Sequence, residues 1–149
     1  MKVLKWLSVA DRFAKTYLDD QLAPFGISSS QHMYLLKVCD HPGILQDSLI
    51  ESVYVHPSNI VRMVAALEKK GFLTRSPYDK DKRTWQLFPT PKALSIAEEV
   101  RAACDRTESL LMDELSVSEK EAFDHMLLRI GKRLAKELNM ERTEDEFDG

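Results

Sequence analysis

Between Ile44 and Lys92 the hydrophobic period changes from helical to strand-like and back again. A short helix is expected from about Leu45 to Ser52, then a break at VYVHPS. A second helix from Asn59 to Lys70 follows, with Ile60, Met63, Val64 and Leu67 at helical spacing. Pro57 suits the first turn of that helix, and Gly71 stops it. The only strand-like stretches come next, FLTRS and TWQLF, separated by the polar loop Pro77-Tyr78-Asp79-Lys80-Asp81-Lys82-Arg83. Two helices joined by a tight turn, with a two-stranded ribbon directly behind the second, describe a winged helix-turn-helix.

Helical periodicity dominates the flanks. Near the start, Val3, Leu7, Ala10, Ala14 and Tyr17 form one stripe, while Leu4, Trp6 and Phe13 lie on a second face. A helix apolar on two sides needs two partners. PFGIS then reads as a break, with Ser28 or Ser29 placed to cap a helix whose apolar face runs through Met33, Leu35 and Leu36 to Cys39, ended by Pro42-Gly43. After the ribbon, Thr90 fits a helix N-cap and Pro91 the first position of a helix to about Glu114, through Leu94, Ala97, Val100, Cys104 and Leu111. LSVSEKE breaks it, with the capping-box spacing Ser118 to Glu121. The last helix carries Phe123, Leu127, Ile130, Leu134 and Leu138 at close to heptad spacing. The fold class is mainly α with a small β-hairpin wing.

The formal charge of −3 argues against a nucleic-acid partner only as an average. The last nine residues, ERTEDEFDG, carry five acids and one base, so the remainder has one more base than acids. Between Ser58 and Lys92 there are eight bases against three acids, which concentrates positive charge on the second helix and the ribbon. That is where groove geometry needs it: the major groove accepts one helix, and a ribbon beside it reaches toward the minor groove. Ser58 and Asn59 stand at the exposed start of the helix, and Arg62 lies one turn along the same face, within reach of a base edge or phosphate. Lys80, Lys82 and Arg83 arm the loop tip, and Arg75 adds a base to the ribbon.

Other classes find little support. No apolar run approaches the roughly 20 residues a membrane helix needs. Lys5, Asp11 and Arg12 interrupt the start before a signal-peptide core could form, so a cytoplasmic location is expected. Cys39 and Cys104 match neither a disulfide scaffold nor a zinc-ligand spacing and read as small core residues. No catalytic triad, paired carboxylate or phosphate loop is evident, and five glycines leave little for a phosphate cradle, so an enzyme is not expected. No cofactor or metal is expected.

The stretch from Ile44 to Lys92 resembles the MarR family of winged helix-turn-helix regulators, in particular its SlyA-like members. Pro57-Ser58, Val61-Arg62, Leu67-Glu68-Lys69-Lys70-Gly71, Arg75, Asp81-x-Arg83 and Thr90-Pro91-Lys92 carry the resemblance by order and spacing, and the flanking helices extend it over nearly the whole chain. It implies that the helix opening at Pro57 is the recognition helix, that Arg83 enters the minor groove, and that Asp81 stabilises the wing. It divides residues 1–140 into a winged lobe at 28–92 and dimerisation helices at 1–27 and 93–140, followed by an acidic flexible tail at 141–149. The implied activity is that of a homodimeric repressor, bound to a near-palindromic double-stranded operator and released by a small aromatic or amphipathic effector. By resemblance that effector sits near Arg12, Phe13, Tyr17, His32 and Leu36. Three positions depart from the pattern: Tyr54 for glycine or asparagine, His56 for a capping Asp or Ser, and Pro89 for leucine. A zinc-responsive branch is the alternative raised by His32, although the long helix after the wing offers no second histidine. The peroxide-sensing branch uses a first-helix cysteine, which this chain lacks. A winged-helix adaptor for protein contact is the remaining alternative, disfavoured by the local charge.

Overall fold

The computed structural model describes residues 1–53 and 57–140, without the side chains of residues 50–53. Tyr54, His56 and the tail 141–149, for which a strained turn, an unusual cap and flexibility are expected, lie outside the described residues. In chain order the elements are α1 (Val3–Leu22), a 3-10 turn (Ala23–Phe25), α2 (His32–Asp40), β1 (Ile44–Leu45), α3 (Gln46–Val53), α4 (Pro57–Lys69), β2 (Leu73–Tyr78), β3 (Asp81–Pro89), α5 (Pro91–Leu111) and α6 (Val117–Glu137). The architecture is mainly helical, as the periodicity implies.

α4 ends as a glycine-closed helix should. Gly71 takes φ +81°, its amide donates to the Glu68 carbonyl, and the Phe72 amide donates to that of Leu67. That pair of bonds satisfies carbonyls a free helix end would leave bare. It also turns the chain so that Phe72 and Leu73 enter the core alongside Leu67. Ile60, Val64 and Leu67 are fully buried, and Met63 packs against them. Burying each such side chain stabilises the fold by about 1.5–3 kcal/mol. Around them the core gathers Leu22, Leu35, Val38, Leu49, Leu87 and Val100 from five further elements.

Several local expectations change. The sheet has three strands in the order β1-β3-β2, because Ile44 and Leu45 pair with Leu87 and Gln86. Two residues are too short a run to show period-two alternation. The hairpin strands are longer than FLTRS and TWQLF, leaving only Asp79 and Lys80 between them. α2 starts at His32 and is not capped by Ser28 or Ser29: Ser28 Oγ contacts Ser30 Oγ at 2.8 Å, and no side chain caps the first turn. Its buried face is Tyr34, Leu35 and Val38, with Met33 exposed. Thr90 does cap α5, accepting from the Ala93 amide at 3.3 Å. That helix stops at Leu111 and buries Ala93, Ala97, Val100, Ala103 and Thr107, while Leu94 and Leu111 face out. The capping box of α6 is Ser116 with Glu119, not Ser118 with Glu121: the Glu119 amide donates to Ser116 Oγ, and the Ser116 amide donates to Glu119 Oε2 at 2.8 Å. Those bonds hold the Glu119 carboxyl below its ordinary range.

The two terminal helices leave apolar faces open. α6 buries none of its residues, and Phe123, Leu127, Ile130, Leu134 and Leu138 are all exposed. Val3, Leu4, Trp6, Leu7 and Phe13 on α1 are exposed as well. Apolar area on this scale, concentrated on the terminal helices, exceeds the scattered exposure usual for a monomer.

Candidate nucleic-acid interface

α4 turns its charged face outward because its apolar stripe is locked inside. Pro57, Ser58 and Arg62 are exposed, and Asn59 is half-buried beside them. Arg62 Nη2 donates to Asn59 Oδ1, one turn back on the same face. The side-chain carbonyl therefore aims the guanidinium along the helix surface rather than leaving it to swing freely. Lys69 is exposed at the far end.

The wing tip owes its shape to a break in the strand ladder. Pairing passes from Pro77 opposite Trp85 to Tyr78 opposite Asp81, so Lys82, Arg83 and Thr84 fall outside the ladder pairs. Such bulges re-aim side chains, and here Asp81 fixes the result. Its Oδ1 accepts from the Arg83 amide at 3.1 Å and from Arg83 Nε at 3.0 Å, and its Oδ2 accepts from Nη2 at 3.3 Å. These bonds hold the Asp81 carboxyl below its ordinary range. Arg83 remains 91% exposed although it is held. Lys80 and Lys82 are exposed beside it, with Lys82 Nζ 3.6 Å from Asp79.

Arg75 is placed differently. Its Nε and Nη2 donate to the two carboxylate oxygens of Glu68 at 3.0 and 3.1 Å, and the guanidinium lies 5.0 Å from the centre of the Trp85 ring. A bidentate pair with a ring on one face braces β2 and β3 against α4. Lys70 and Lys92 are also engaged by their own chain. Lys92 Nζ donates to the Lys70 carbonyl at 2.7 Å and sits 4.4 Å from the Phe72 ring centre. Lys70 Nζ donates to the Gly26 carbonyl and to Gln31 Oε1, each at 2.9 Å. Of the eight bases counted between Ser58 and Lys92, the outward group is thus Arg62, Lys69, Lys80, Lys82 and Arg83. Glu68 and Trp85, as braces of the wing, have no signal in the sequence beyond side-chain type.

Of the five expected effector-site residues, two share one cleft among the described residues. Phe13 and Tyr17 line a 670 Å³ cleft with Ala10, Thr107, Leu110 and Phe123, between α1, the end of α5 and α6. Arg12, His32 and Leu36 are not part of that cleft. Arg12 lies exposed over the Phe13 ring, and Leu36 packs against the core. His32 Nδ1–H donates to the Ser29 carbonyl at 2.6 Å, and burial pushes its pKa down against the opposing pull of that bond and of Asp19. Among the described residues no group of three or more His, Cys, Asp or Glu is placed to hold a metal ion. Burial pushes both the Cys39 and Cys104 thiols up, which disfavours the thiolate that redox chemistry needs. No helix among the described residues is long and apolar enough to cross a membrane.

This architecture has known counterparts. Residues 27–85 match the family model described as "MarR family". The uncharacterized HTH-type transcriptional regulator YybA of Bacillus subtilis is 23% identical over 91% of this chain and 90% of its own length. A second B. subtilis regulator, YwoH, is 28% identical over 72% of this chain and 78% of its own. Among solved structures, the transcriptional regulator SlyA superposes with a TM-score of 0.84 at 20% identity, covering 92% of this chain and 96% of that one. A mutant MarR from E. coli complexed with operator DNA superposes with a TM-score of 0.79 at 20% identity, covering 87% and 96%. The segment 27–85, which contains the helix pair and most of the wing, therefore matches the MarR family model, and the chain shares the winged-helix fold of these solved regulators.

Proposed function

We propose that this chain is a DNA-binding transcriptional regulator that works as a homodimer, with α4 in the major groove and the wing arginine in the adjacent minor groove. The observation that carries the reading is the joint exposure of Arg62 and Arg83, each held by a neighbouring acceptor at the outer surface of α4 and of the wing. Preorganised cations lose less freedom on binding a phosphate or base edge than unrestrained ones. The MarR mutant of the same fold, solved with operator DNA, supports the reading. Pro57, Ser58 and Asn59 present the helix N-terminus to the duplex, Lys80 and Lys82 meet phosphates, and Asp81 holds the wing. Arg75 acts as a brace rather than a contact.

The exposed apolar faces of α1 and α6 support a dimer in which the terminal helices of two copies cover one another. Two α4 helices then reach successive major grooves about 10 base pairs apart, on a near-palindromic operator. Repression follows from occupancy. Release by a small aromatic or amphipathic effector requires a molecule that distinguishes two lobe spacings; the cleft holding Phe13 and Tyr17 offers it an apolar seat.

Fluorescence anisotropy on a labelled random-sequence duplex tests the core of this reading. Affinity should rise steeply as salt is lowered, and Arg62→Ala should cost about 1–3 kcal/mol on a selected operator, with altered base preference, as loss of a base-reading contact does. No binding at about 50 mM salt, where cationic surfaces hold DNA most strongly, would remove DNA as the partner.

A further inference from the structure

The C-terminal end of α4 is fastened to the segment where the chain leaves α1. Gly26, in the left-handed conformation at φ +73°, turns its carbonyl toward α4. Gln31, 8% exposed, holds its Oε1 in place by accepting from the Ser28 amide at 3.2 Å. Lys70 Nζ donates to both oxygens at 2.9 Å, across about forty residues of sequence. The same turn is anchored to α1, since the Ser29 amide donates to Asp19 Oδ1 at 2.6 Å. On the other side, Lys92 of α5 donates to the Lys70 carbonyl, and Thr90 Oγ1 donates to that of Gly71 at 2.6 Å. The end of the recognition helix is therefore bonded through Lys70 to the turn that Ser29 ties to α1, and through Lys92 and Thr90 to the start of α5.

We infer that Lys70 is a positioning residue for DNA recognition: its ammonium, clasped by Gly26 O and Gln31 Oε1, sets the angle of α4 relative to the terminal helices and thus the half-site spacing the protein accepts. The inference rests on the DNA-binding reading above. A cation is suited to this place because helix C-terminal carbonyls favour positive charge, and hydrogen bonds from a charged donor are stronger than neutral ones. Without the clasp α4 samples several angles, and only a fraction of molecules present the two helices at operator spacing. Apparent affinity falls by that fraction, while contact with any single stretch of duplex is unchanged.

The test uses the full chain and a duplex selected from a randomised pool, together with versions lengthened and shortened by one base pair at the centre. Lys70→Met should bind the selected duplex about tenfold more weakly, the loss expected when a charged hydrogen-bonded contact goes, and should discriminate less among the three spacings. Binding to random-sequence duplex should stay within about twofold of wild type, less than the roughly tenfold step of 1.4 kcal/mol. Gln31→Met should act in the same direction, Lys70→Met/Gln31→Met should be no worse than Lys70→Met alone, and Lys70→Arg should restore part of the spacing preference. If Lys70→Met keeps wild-type affinity and spacing preference, or if the two substitutions add independently, the clasp does not position the helix. If wild type itself fails to bind any duplex, the DNA-binding reading falls, and this inference with it.

Discussion

Arg83→Ala isolates the wing contact, because a side chain 91% exposed contributes almost nothing to the fold, and its removal acts on binding alone. A cation that neutralises one phosphate contributes about 0.9 to the slope of log K against log salt. Between about 50 and 200 mM salt, a slope lower by that amount shrinks the variant's deficit about 3.5-fold. The deficit at the lower salt should be about 10- to 150-fold, corresponding to a charge-assisted hydrogen bond of about 1.5–3 kcal/mol. Asp81 sharpens the experiment. In wild type its carboxylate accepts two hydrogen bonds from the Arg83 guanidinium and one from the Arg83 amide; the variant keeps only the amide bond, so the carboxylate charge faces the duplex without its cation. Arg83→Ala/Asp81→Ala should therefore bind more tightly than Arg83→Ala, although neither regains wild-type affinity. Anisotropy titrations at several salt concentrations with all three proteins read these quantities. A slope and affinity equal to wild type for Arg83→Ala, or a double variant weaker than the single, would refute the arrangement derived for the wing.

Three further outcomes follow from other parts of the molecule. Arg75→Ala should lower stability by about 1–2 kcal/mol in urea unfolding, through loss of a partly exposed ion pair and a ring contact, yet leave the salt slope of DNA binding within error of wild type; a slope lower by about one unit would make it a phosphate contact after all. Ser116→Ala should cost about 1 kcal/mol and Ser118→Ala almost none. Because the Glu119 carboxyl is held below its ordinary value, its contribution is complete above about pH 4.3 and is lost as pH falls through its lowered value; a Glu119→Ala deficit unchanged down to pH 2 would contradict the capping box. Leu127→Glu and Leu134→Glu should each raise the dimer dissociation constant at least about 100-fold, since a charge replaces apolar area worth about 1.5–3 kcal/mol per side chain; sedimentation that finds the same oligomer would place the interface elsewhere.

The helical frame was readable because its signals are local. Gly71 closing α4, Thr90 capping α5 and the stripe Ile60, Val64, Leu67 depend on neighbours within one or two turns, and each is observed in place. What depends on distant partners was not readable. The register slip that lifts Arg83 from the ladder arises from pairing across the whole hairpin, and β1 exists only because β3 is there to pair with it. The buried face of α5 is made of alanines, Val100 and Thr107, so weighting large residues pointed to Leu94 and Leu111, which face out. LSVSEKE contains two overlapping capping signatures. The earlier one prevails because the Leu115 amide closes a turn on the Met112 carbonyl, releasing the chain into α6 at Ser116. At the candidate interface, charge counting found the basic residues of α4 and the wing but could not tell Arg62 and Arg83, which face out, from Arg75, Lys70 and Lys92, which hold the lobe together.

Hydroxyl-radical footprinting of a duplex selected from a randomised pool reads the helix and wing contacts on the same molecule. The account predicts two protected stretches on one face of the duplex, centred about one helical turn of 10–10.5 base pairs apart, with the outer flank of each stretch lost in Arg83→Ala. Uniform cleavage along the duplex, or a footprint indifferent to both Arg62→Ala and Arg83→Ala, would show that neither α4 nor the wing meets DNA.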